Sequence, residues 1–562
     1  MTGTIRPPHD QPGSRATIRR RIALAFIAFT TVFGLIGGRL VDLAFTPVRL
    51  HTSAVATPLS QTQPRPDVVD RHGRLLATDI PTTSVFADPK RIVDVDEAVE
   101  NLSSVLKGLN SKSLLKKLAN KKRRFVWIKR GLTPEKHEQV MDLGLPGIEF
   151  ISEPRRVYPT GATASHILGY VDIDNRGRAG IERYIDSIAG VYFPKTLQKA
   201  ERPIVKLSID LGVQHILRNE LDRAMKTYRA KAAAGIVLDV TSGEVVAMSS
   251  LPDFDPNHPK QALHETRFDR VTNGTYELGS VFKTVTVAMA LDLGTVTLDQ
   301  GYDVTKPIEV GGFTIDDYHP LRRWLSIPEI FIHSSNIGAA KMAEDVGIDR
   351  HRAFLKKIGL LDPMTTELGK VRKPQTPKSW KLVNSMTVAY GHGLSVAPLQ
   401  FAAASAALVN GGYKITPTFL YQSQKTGLSR DKKVLKSETS AIIRELLRRN
   451  VKEGTGRRSD VIGYRVGGKT GTAEKVIKGK YSKTKLRTSF LSVFPSDDPA
   501  YVLLVMIDEP KPAAEEQQKR PTAGMNAAPL TARIISRIAA KLGVMPDITL
   551  HAGFDDPAPA TY

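Results

Sequence analysis

The apolar positions near the N-terminus form one run that is long enough for a membrane-spanning helix. No charged residue lies between Ile22 and Gly38, and beyond Arg39 the apolar pattern continues to Phe45 with Asp42 as its one interruption. A helix over these first seventeen residues rises about 25 Å, and its extension to residue 45 covers the hydrocarbon core of a bilayer. We therefore predict a transmembrane anchor at 22–45.

Basic residues before this run predict the orientation of the anchor. Four arginines lie between residues 15 and 21. Because basic flanks stay on the cytoplasmic side, residues 1–21 are expected to be a cytoplasmic tail, and the rest of the chain is expected outside the membrane. A cleaved signal peptide is the alternative, since Ala54 and Ala56 form an A-x-A pair. That pair lies well beyond an apolar run that is already longer than a typical signal core, which favours an uncleaved anchor.

A linker and a first folded region are predicted after the anchor. Residues 46–64 are rich in Thr, Ser, Pro and Gln, a composition typical of linkers. Within the region at 65–201, residues 68–77 have the pattern of two short strands joined by a turn at Gly73. This first region shows no catalytic set of residues of its own.

The second region, at 202–543, has the pattern of an antiparallel sheet flanked by helices. Two β-branched apolar runs at 235–240 and 244–249 are separated by Thr-Ser-Gly, which predicts a hairpin. A helical pattern, two more strand-like runs and an amphipathic helix follow, at 280–293, 489–494, 501–507 and 530–542. This order is typical of an α+β fold. The last residues, 544–562, are rich in Pro, Ala and Asp and are predicted to be a disordered tail.

Composition narrows the possible chemistry. The chain of 562 residues contains no cysteine, which excludes disulfides, zinc–thiolate sites and a cysteine nucleophile. Its net charge of +23 favours acidic partners such as anionic lipid or cell wall. Ten basic residues and no acidic residue lie between Lys107 and Arg130. We interpret this run as a solvated, lysine-rich helix pair, with a wall or membrane contact as the alternative. No nucleic-acid-reading motif accompanies it, so no nucleic-acid partner is expected.

The first chemical motif is Ser280-Val-Phe-Lys283, at the start of the predicted helix. A spacing of three residues brings both side chains to one face, where the Lys283 amine can reach the Ser280 hydroxyl. A neutral lysine can take a serine proton if burial or nearby cations depress its pKa. The helix N-terminus also offers N–H groups to a developing oxyanion. Alone, this motif is weak, because Ser and Lys at this spacing are common on helix surfaces.

Two further motifs follow at a distance. In Ser334-Ser-Asn336, the serine can relay protons and the asparagine can orient a substrate amide, although Ser-Ser-Asn is also ordinary turn material. In Lys469-Thr470-Gly471-Thr472, an edge-strand lysine would add positive charge beside the serine. Gly471 would let a substrate backbone approach closely, and the threonines offer hydroxyl and N–H groups to a carboxylate or an oxyanion.

Together and in this order, the three motifs resemble the signature of penicillin-binding proteins and serine β-lactamases. The resemblance to class B penicillin-binding proteins extends to six further segments: Val69–Gly73, Arg156–Pro159, Gly180–Glu182, Leu251–Pro252, Phe254–Asn257 and Thr455–Gly456. Ser334–Gly338 and Tyr390–Ser395 are most similar to the division-specific, septal group. The resemblance implies an α+β multidomain chain with a transmembrane helix, an irregular β-rich pedestal at 65–201 and a transpeptidase domain at 202–543. It further implies that this domain holds an antiparallel five-stranded sheet flanked by helices.

The resemblance also implies a role for each motif residue in a peptidoglycan D,D-transpeptidase. Ser280 would form an acyl-enzyme with a stem peptide ending in D-Ala-D-Ala, with Lys283 as its base. Ser334 and Lys469 would carry the proton to the leaving amine, and Asn336 would orient the peptide. The N–H groups of Ser280 and Thr472 would form the oxyanion hole, and Thr470 and Gly471 would contact the substrate. No metal and no cofactor are expected.

Partners and location are implied in the same way. β-Lactams would acylate Ser280, and a polytopic lipid II polymerase and other membrane proteins of the division machinery would be partners. The resemblance predicts a single-pass protein of the inner (cytoplasmic) membrane with a periplasmic catalytic domain.

Several alternatives stay open at this point. Gly463–Thr470 fits the phosphate-binding pattern G-x-x-x-x-G-K-[ST], although the charged and glycine-containing sequence around it does not predict the required strand before it and helix after it. The chain could also be a D,D-carboxypeptidase, a β-lactam-hydrolysing enzyme or an elongation-specific relative. A non-catalytic division protein or β-lactam sensor is the last alternative. The presence of all the polar catalytic residues argues against it.

Overall fold

The computed structural model describes residues 13–45, 64–192, 203–423, 432–477, 479–516 and 519–547. The predicted linker at 46–64 and tail at 544–562 lie almost entirely outside these described residues, as do the first twelve residues of the predicted cytoplasmic tail.

The described α-helices, numbered in chain order, are α1 Gly13–Phe45, α2 Val95–Val105, α3 Ser111–Leu118, α4 Pro134–Met141, α5 Ser165–Leu168, α6 Gly180–Tyr192, α7 Leu211–Thr227, α8 Lys283–Asp292, α9 Ile327–His333, α10 Asn336–Val346, α11 Ile348–Lys357, α12 Leu382–Ala389, α13 Pro398–Val409, α14 Ser437–Lys452 and α15 Ala527–Ile538. The described strands are β1 Asp67–Val69, β2 Leu75–Ala87, β3 Val126–Leu132, β4 Ile148–Val157, β5 Ile204–Lys206, β6 Ala232–Asp239, β7 Val245–Leu251, β8 Gly301–Asp303, β9 Ile308–Val310, β10 Phe313–Ile315, β11 Trp324–Ser326, β12 Thr365–Thr366, β13 Gly369–Lys370, β14 Gly467–Ile477, β15 Lys480–Phe494 and β16 Tyr501–Asp508.

The chain divides into two compact units. The first contains α1 together with Val85–Arg130 and Lys136–Phe150, and the second contains residues 64–84, Gly131–Glu135 and the described residues from Ile151 onward. The domain boundary at 201/202 remains a prediction.

Helix α1 contains one segment, Arg19–Arg39, that is long and apolar enough to cross a membrane. This agrees with the predicted membrane anchor by length and composition. In the same unit, all but one of the basic residues between Lys107 and Arg130 are exposed, as predicted. The predicted helix pair is wrong, because the run forms helix α3 and then enters strand β3. Val126 and Ile128 are buried on alternate positions there, a spacing that fits a strand.

The start of the second unit confirms the predicted strand–turn–strand. β1 pairs with β2 antiparallel, and Gly73 between them has φ +82°, a left-handed conformation that glycine adopts without steric cost. β5 pairs with β1 in parallel. On β4, which pairs with β2, the buried Arg156 donates to Glu182 at 2.6 Å and to Asp79 at 3.2 Å, so that each buried charge has a partner of opposite sign.

A five-stranded antiparallel sheet of order β14-β15-β16-β6-β7 forms the centre of the second unit. The hairpin predicted over 235–249 is confirmed as β6–β7. Alternate side chains of each strand enter two hydrophobic cores. On β16, Val502, Leu504 and Met506 pack in the core that contains the α8 and α13 residues, whereas Leu503, Val505 and Ile507 pack with the α7 and α15 residues. The sheet is therefore covered by helices on both faces, and β14 forms one of its edges.

Candidate active site

Ser280 lies in a tight turn immediately before α8. Residues Gly279–Phe282 form a 3-10 turn, whereas the sequence predicted that Ser280 would begin the α-helix itself. Three residues complete one turn of a 3-10 helix, which eclipses positions i and i+3. Lys283, the first residue of α8, consequently has its Nζ 3.1 Å from Ser280 Oγ.

The Ser-Ser-Asn motif connects two helices beside this lysine. Ser334 ends α9 in the left-handed conformation (φ +62°, ψ +45°), which is uncommon for a residue with a side chain. Its hydroxyl lies 3.1 Å and its carbonyl oxygen 2.5 Å from Lys283 Nζ. Asn336 begins α10 and accepts from the same amine through Oδ1 at 2.8 Å. Four of the five predicted catalytic residues therefore meet at the Lys283 amine: Lys283 itself, Ser280, Ser334 and Asn336.

Lys469 lies near this group without a hydrogen bond to it. It stands on the edge strand β14, as predicted, and its side chain is fully buried. Its Nζ has no hydrogen-bond partner among the described residues and lies 5.7 Å from the centre of the Phe331 ring. Burial therefore removes the hydration of the Lys469 ammonium group, which favours the neutral amine more than water does.

Burial lowers the pKa values of both lysines, and the charge of a neighbouring lysine also lowers that of Lys283. Burial and the neighbouring charge of Lys469 hold the pKa of Lys283 well below its usual range, while the carboxylate of Asp317 acts in the opposite direction. Burial lowers the pKa of Lys469 to about 7. The lowered pKa favours the neutral, proton-accepting form of Lys283, and Lys469 can exist in either protonation state near neutral pH.

The three residues after Lys469 line the same edge of the sheet. Thr470 Oγ1 lies 2.6 Å from Thr455 Oγ1, and Thr472 Oγ1 accepts from the N–H of Ala523 at 3.1 Å. At Gly471, an added Cβ would lie 2.3 Å from the carbonyl oxygen of Leu278. The chain leading to Ser280 thus requires glycine at this position. The approach of a substrate backbone to Gly471 stays a prediction.

An uncharged histidine borders the group. Burial lowers the pKa of His392 to about 4, and the nearby charge of Lys283 contributes a smaller effect in the same direction. Tyr481, whose ring centre lies 5.5 Å from that of His392, donates to Glu277 at 3.1 Å, and the N–H of Gly393 donates to the same carboxylate at 2.8 Å. The segment around His392 entered the sequence prediction through its resemblance, without a chemical role.

Sequence reasoning missed Asp317. Its buried carboxylate accepts from the backbone N–H of Asn336 at 2.5 Å and of Ile337 at 3.0 Å, and from Ser335 Oγ at 2.8 Å. The Asp316-Asp317 pair follows a short strand, and no spacing rule connects it with a motif eighteen residues later. A buried Asp that binds a helix N-terminus from another segment can be recognised only once the fold is known.

The nucleotide-binding alternative fails on local structure. A phosphate-binding loop is followed by a helix whose N-terminus receives the phosphates. Here Gly467–Ile477 is a β-strand, so that Lys469 and Thr470 lie inside an extended segment.

Two protein families match this chain. Residues 233–535 match the penicillin binding protein transpeptidase domain, and residues 60–188 match the penicillin-binding protein dimerisation domain. The chain is 38% identical over 492 residues to the probable peptidoglycan D,D-transpeptidase FtsI of Caulobacter vibrioides, covering 85% of this chain and 82% of that protein. It is 31% identical over 539 residues to the probable peptidoglycan D,D-transpeptidase PenA of Neisseria meningitidis, covering 90% of each.

A solved structure supports the fold. The crystal structure of penicillin binding protein 3 from Mycobacterium tuberculosis, complexed with aztreonam, has a TM-score of 0.65 and 22% sequence identity and covers 86% of this chain and 97% of that chain. This match supports the α+β arrangement of sheet and helices described above. From the family matches and the identity to FtsI, we conclude that this chain belongs to the class B penicillin-binding proteins, in the division-specific group.

Proposed function

We propose that this protein is a peptidoglycan D,D-transpeptidase that cross-links stem peptides at the division septum through an acyl-enzyme on Ser280. The observation that supports this proposal most directly is the position of Lys283 Nζ. This buried amine lies within hydrogen-bond distance of Ser280, Ser334 and Asn336. A buried amine whose pKa is depressed can remove a proton from an alcohol that it touches.

Acylation begins with attack by Ser280. Neutral Lys283 accepts the proton as Oγ attacks the carbonyl carbon between the two terminal D-alanines of a stem peptide. The new C–O bond forms, the C–N bond breaks, and the proton passes through Ser334 and Lys469 to the amine of the departing D-alanine. Asn336 orients the peptide through its side-chain amide, and Thr470 and Gly471 contact the peptide along the edge strand.

Backbone N–H groups stabilise the charge that develops during this step. The first N–H groups of a helical turn have no partner inside the turn, and Ser280 is the second residue of its own. Gly279 packs directly against the backbone of Thr472, which brings the N–H groups of Ser280 and Thr472 into one neighbourhood. We assign both to the oxyanion hole, where loss of a donor costs roughly 100- to 1,000-fold in rate.

Transfer to the second peptide completes the reaction. An amine of a neighbouring stem peptide, which we assign to diaminopimelate, attacks the ester carbonyl. Neutral Lys283 accepts a proton from this amine as the C–N bond forms and the C–Oγ bond breaks, and it passes that proton to Ser280 Oγ. β-Lactams acylate the same hydroxyl because their strained amide imitates the D-Ala-D-Ala bond.

The membrane-length helix supports the proposed location. Arginines before the apolar segment favour a cytoplasmic N-terminus and a periplasmic catalytic domain in a single-pass protein of the inner membrane. Neither matched family domain is a strand-polymerising domain, so we assign this activity to a partner, a polytopic lipid II polymerase of the division machinery.

Substitution of Ser280 tests this function. The Ser280→Ala variant is expected to lose all covalent labelling by a fluorescent penicillin while its melting temperature stays close to that of the wild type. The matched control is Ser536→Ala, which removes an exposed hydroxyl from α15 and should label normally. Labelling of Ser280→Ala at the wild-type rate would remove Ser280 from its role.

A further inference from the structure

A buried carboxylate from a separate segment binds the start of α10, where the Ser-Ser-Asn motif lies. Asp317 follows strand β10 and is 8% exposed. One of its oxygens accepts from the N–H groups of Asn336 and Ile337, and both oxygens accept from Ser335 Oγ, at 2.8 and 3.0 Å. These are the first two N–H groups of the helix, which have no acceptor within the helix itself.

The same segment also fixes the orientation of the Asn336 side chain. The backbone oxygen of Asp316 accepts from Asn336 Nδ2 at 2.9 Å. This contact leaves Oδ1 as the atom that faces Lys283 Nζ, at 2.8 Å. A flipped amide would turn its oxygen toward the Asp316 carbonyl oxygen and lose that bond. The Asp316-Asp317 segment therefore determines both the backbone position and the side-chain orientation of Asn336.

The charge of Asp317 also acts on the catalytic amine. The groups that face Lys283 are the hydroxyls of Ser280 and Ser334, the carbonyl oxygen of Ser334 and the amide oxygen of Asn336. Lys469 is a nearby cation that opposes the ammonium form of Lys283, and Asp317 is a nearby anion that favours it. His392, whose pKa burial lowers to about 4, adds no charge at neutral pH.

We propose that Asp317 is a positioning residue for transpeptidation, which holds the Ser334–Asn336 segment against Lys283 and supplies a negative charge near the buried Lys283 amine. This inference rests on the proposed function, since it assigns a role within the same site. Asp317 acts through Asn336 and Lys283 and does not touch the substrate.

The test measures acylation of the full-length protein in detergent by a fluorescent penicillin, from mildly acidic to mildly alkaline pH. Asp317→Asn removes the charge and keeps the shape of the side chain. Its maximal rate should fall about 10- to 100-fold, the range that misplacement of a catalytic group by an ångström can reach. Loss of the anion also lowers the pKa of Lys283, so that the amine stays neutral at lower pH. The acidic limb of the rate profile should therefore move to lower pH.

Two further variants separate charge from structure. Ser335→Ala removes the hydroxyl bonds to Asp317 without a change of charge, and it should reduce the rate without moving the acidic limb. Glu309→Gln removes an exposed carboxylate from β9 of the same β9–β10 hairpin and should match the wild type in rate and profile.

A wild-type rate in Asp317→Asn, or a reduced rate with an unmoved acidic limb, would overturn the proposal. If Asp317→Asn does not fold, a wild-type rate in Ser335→Ala would overturn the positioning role. Neither outcome contradicts the proposed function. That function is contradicted only if the wild type is not acylated, or if Ser280→Ala is acylated.

Discussion

Two lysines without exposed surface are the least expected residues of this protein, because a buried ammonium group loses its hydration. Lys283 recovers part of that loss through its contacts with hydroxyl, carbonyl and amide oxygens. Lys469 has no hydrogen-bond partner among the described residues, and burial lowers its pKa to about 7. The site therefore keeps a reactive amine at a cost to the stability of the fold, as active sites commonly do.

Replacement of Lys469 by methionine should raise stability while it removes activity. The unfolded chain binds a proton at Lys469 up to its ordinary pKa of 10.5, whereas the folded protein releases that proton at about pH 7. The destabilisation caused by the native lysine is therefore at its maximum below about pH 7. It amounts to about 1.4 kcal/mol for each unit of pKa difference between the unfolded and folded protein. The melting temperature of Lys469→Met should exceed that of the wild type most clearly at mildly acidic pH, and the gain should shrink at alkaline pH.

The matched control for this prediction is Lys452→Met, which alters an exposed lysine of α14 and should change neither stability nor labelling. A Lys469→Met protein that melts below the wild type throughout this pH range would contradict the account of Lys469 as a desolvated amine.

At the scale of elements, the site depends on close contact between β14 and the turn that carries Ser280. Gly471 faces the carbonyl oxygen of Leu278, and Ser489 Oγ donates to the same carbonyl oxygen at 2.8 Å. On the other side, Gly279 packs against the backbone of Thr472. The absence of side chains at both glycines lets the strand and the turn touch through their backbones.

Gly471→Ala should separate these two elements. The added methyl group would begin 2.3 Å from the Leu278 oxygen, so that the strand or the turn must move. Overpacking of this kind typically costs about 1–3 kcal/mol in the free energy of unfolding. We expect a lower melting temperature and a loss of about 10- to 100-fold in the acylation rate, because the displaced turn carries the nucleophile.

Gly524→Ala provides the comparison, since its Cβ would meet no atom closer than 3.2 Å. This variant should retain most of the stability and the labelling rate. Wild-type acylation by Gly471→Ala would show that the contact between β14 and the turn does not position Ser280.

Helices and strands with a periodic pattern of apolar residues could be predicted well from the sequence. Segments that are held only by backbone hydrogen bonds could not. The hairpin at 235–249 was evident from its β-branched runs. Strand β15 was predicted at 489–494 and actually begins at Lys480, because its first half is polar and is held by pairing with β14 beyond the core. The 3-10 turn at Ser280 could not be distinguished from the first turn of an α-helix, since both place residues i and i+3 on one side.

At the scale of the whole molecule, the candidate site is assembled from segments that are far apart in the chain. The sheet edge contributes Lys469, the turn before α8 contributes Ser280, and the connection between α9 and α10 contributes Ser334 and Asn336. Each motif is short enough to be recognised in the sequence, which is why these residues could be predicted. Asp317 belongs to no such motif, and its role depends on a contact that only folding creates.

Mass spectrometry of the intact protein after treatment with a penicillin tests the central claim most directly. The account predicts one added penicillin per chain, located after tryptic digestion in the peptide from Val271 to Lys283, where Ser280 is the one serine. An unmodified chain, or an adduct that maps to any other residue, would contradict the claim that Ser280 is the nucleophile.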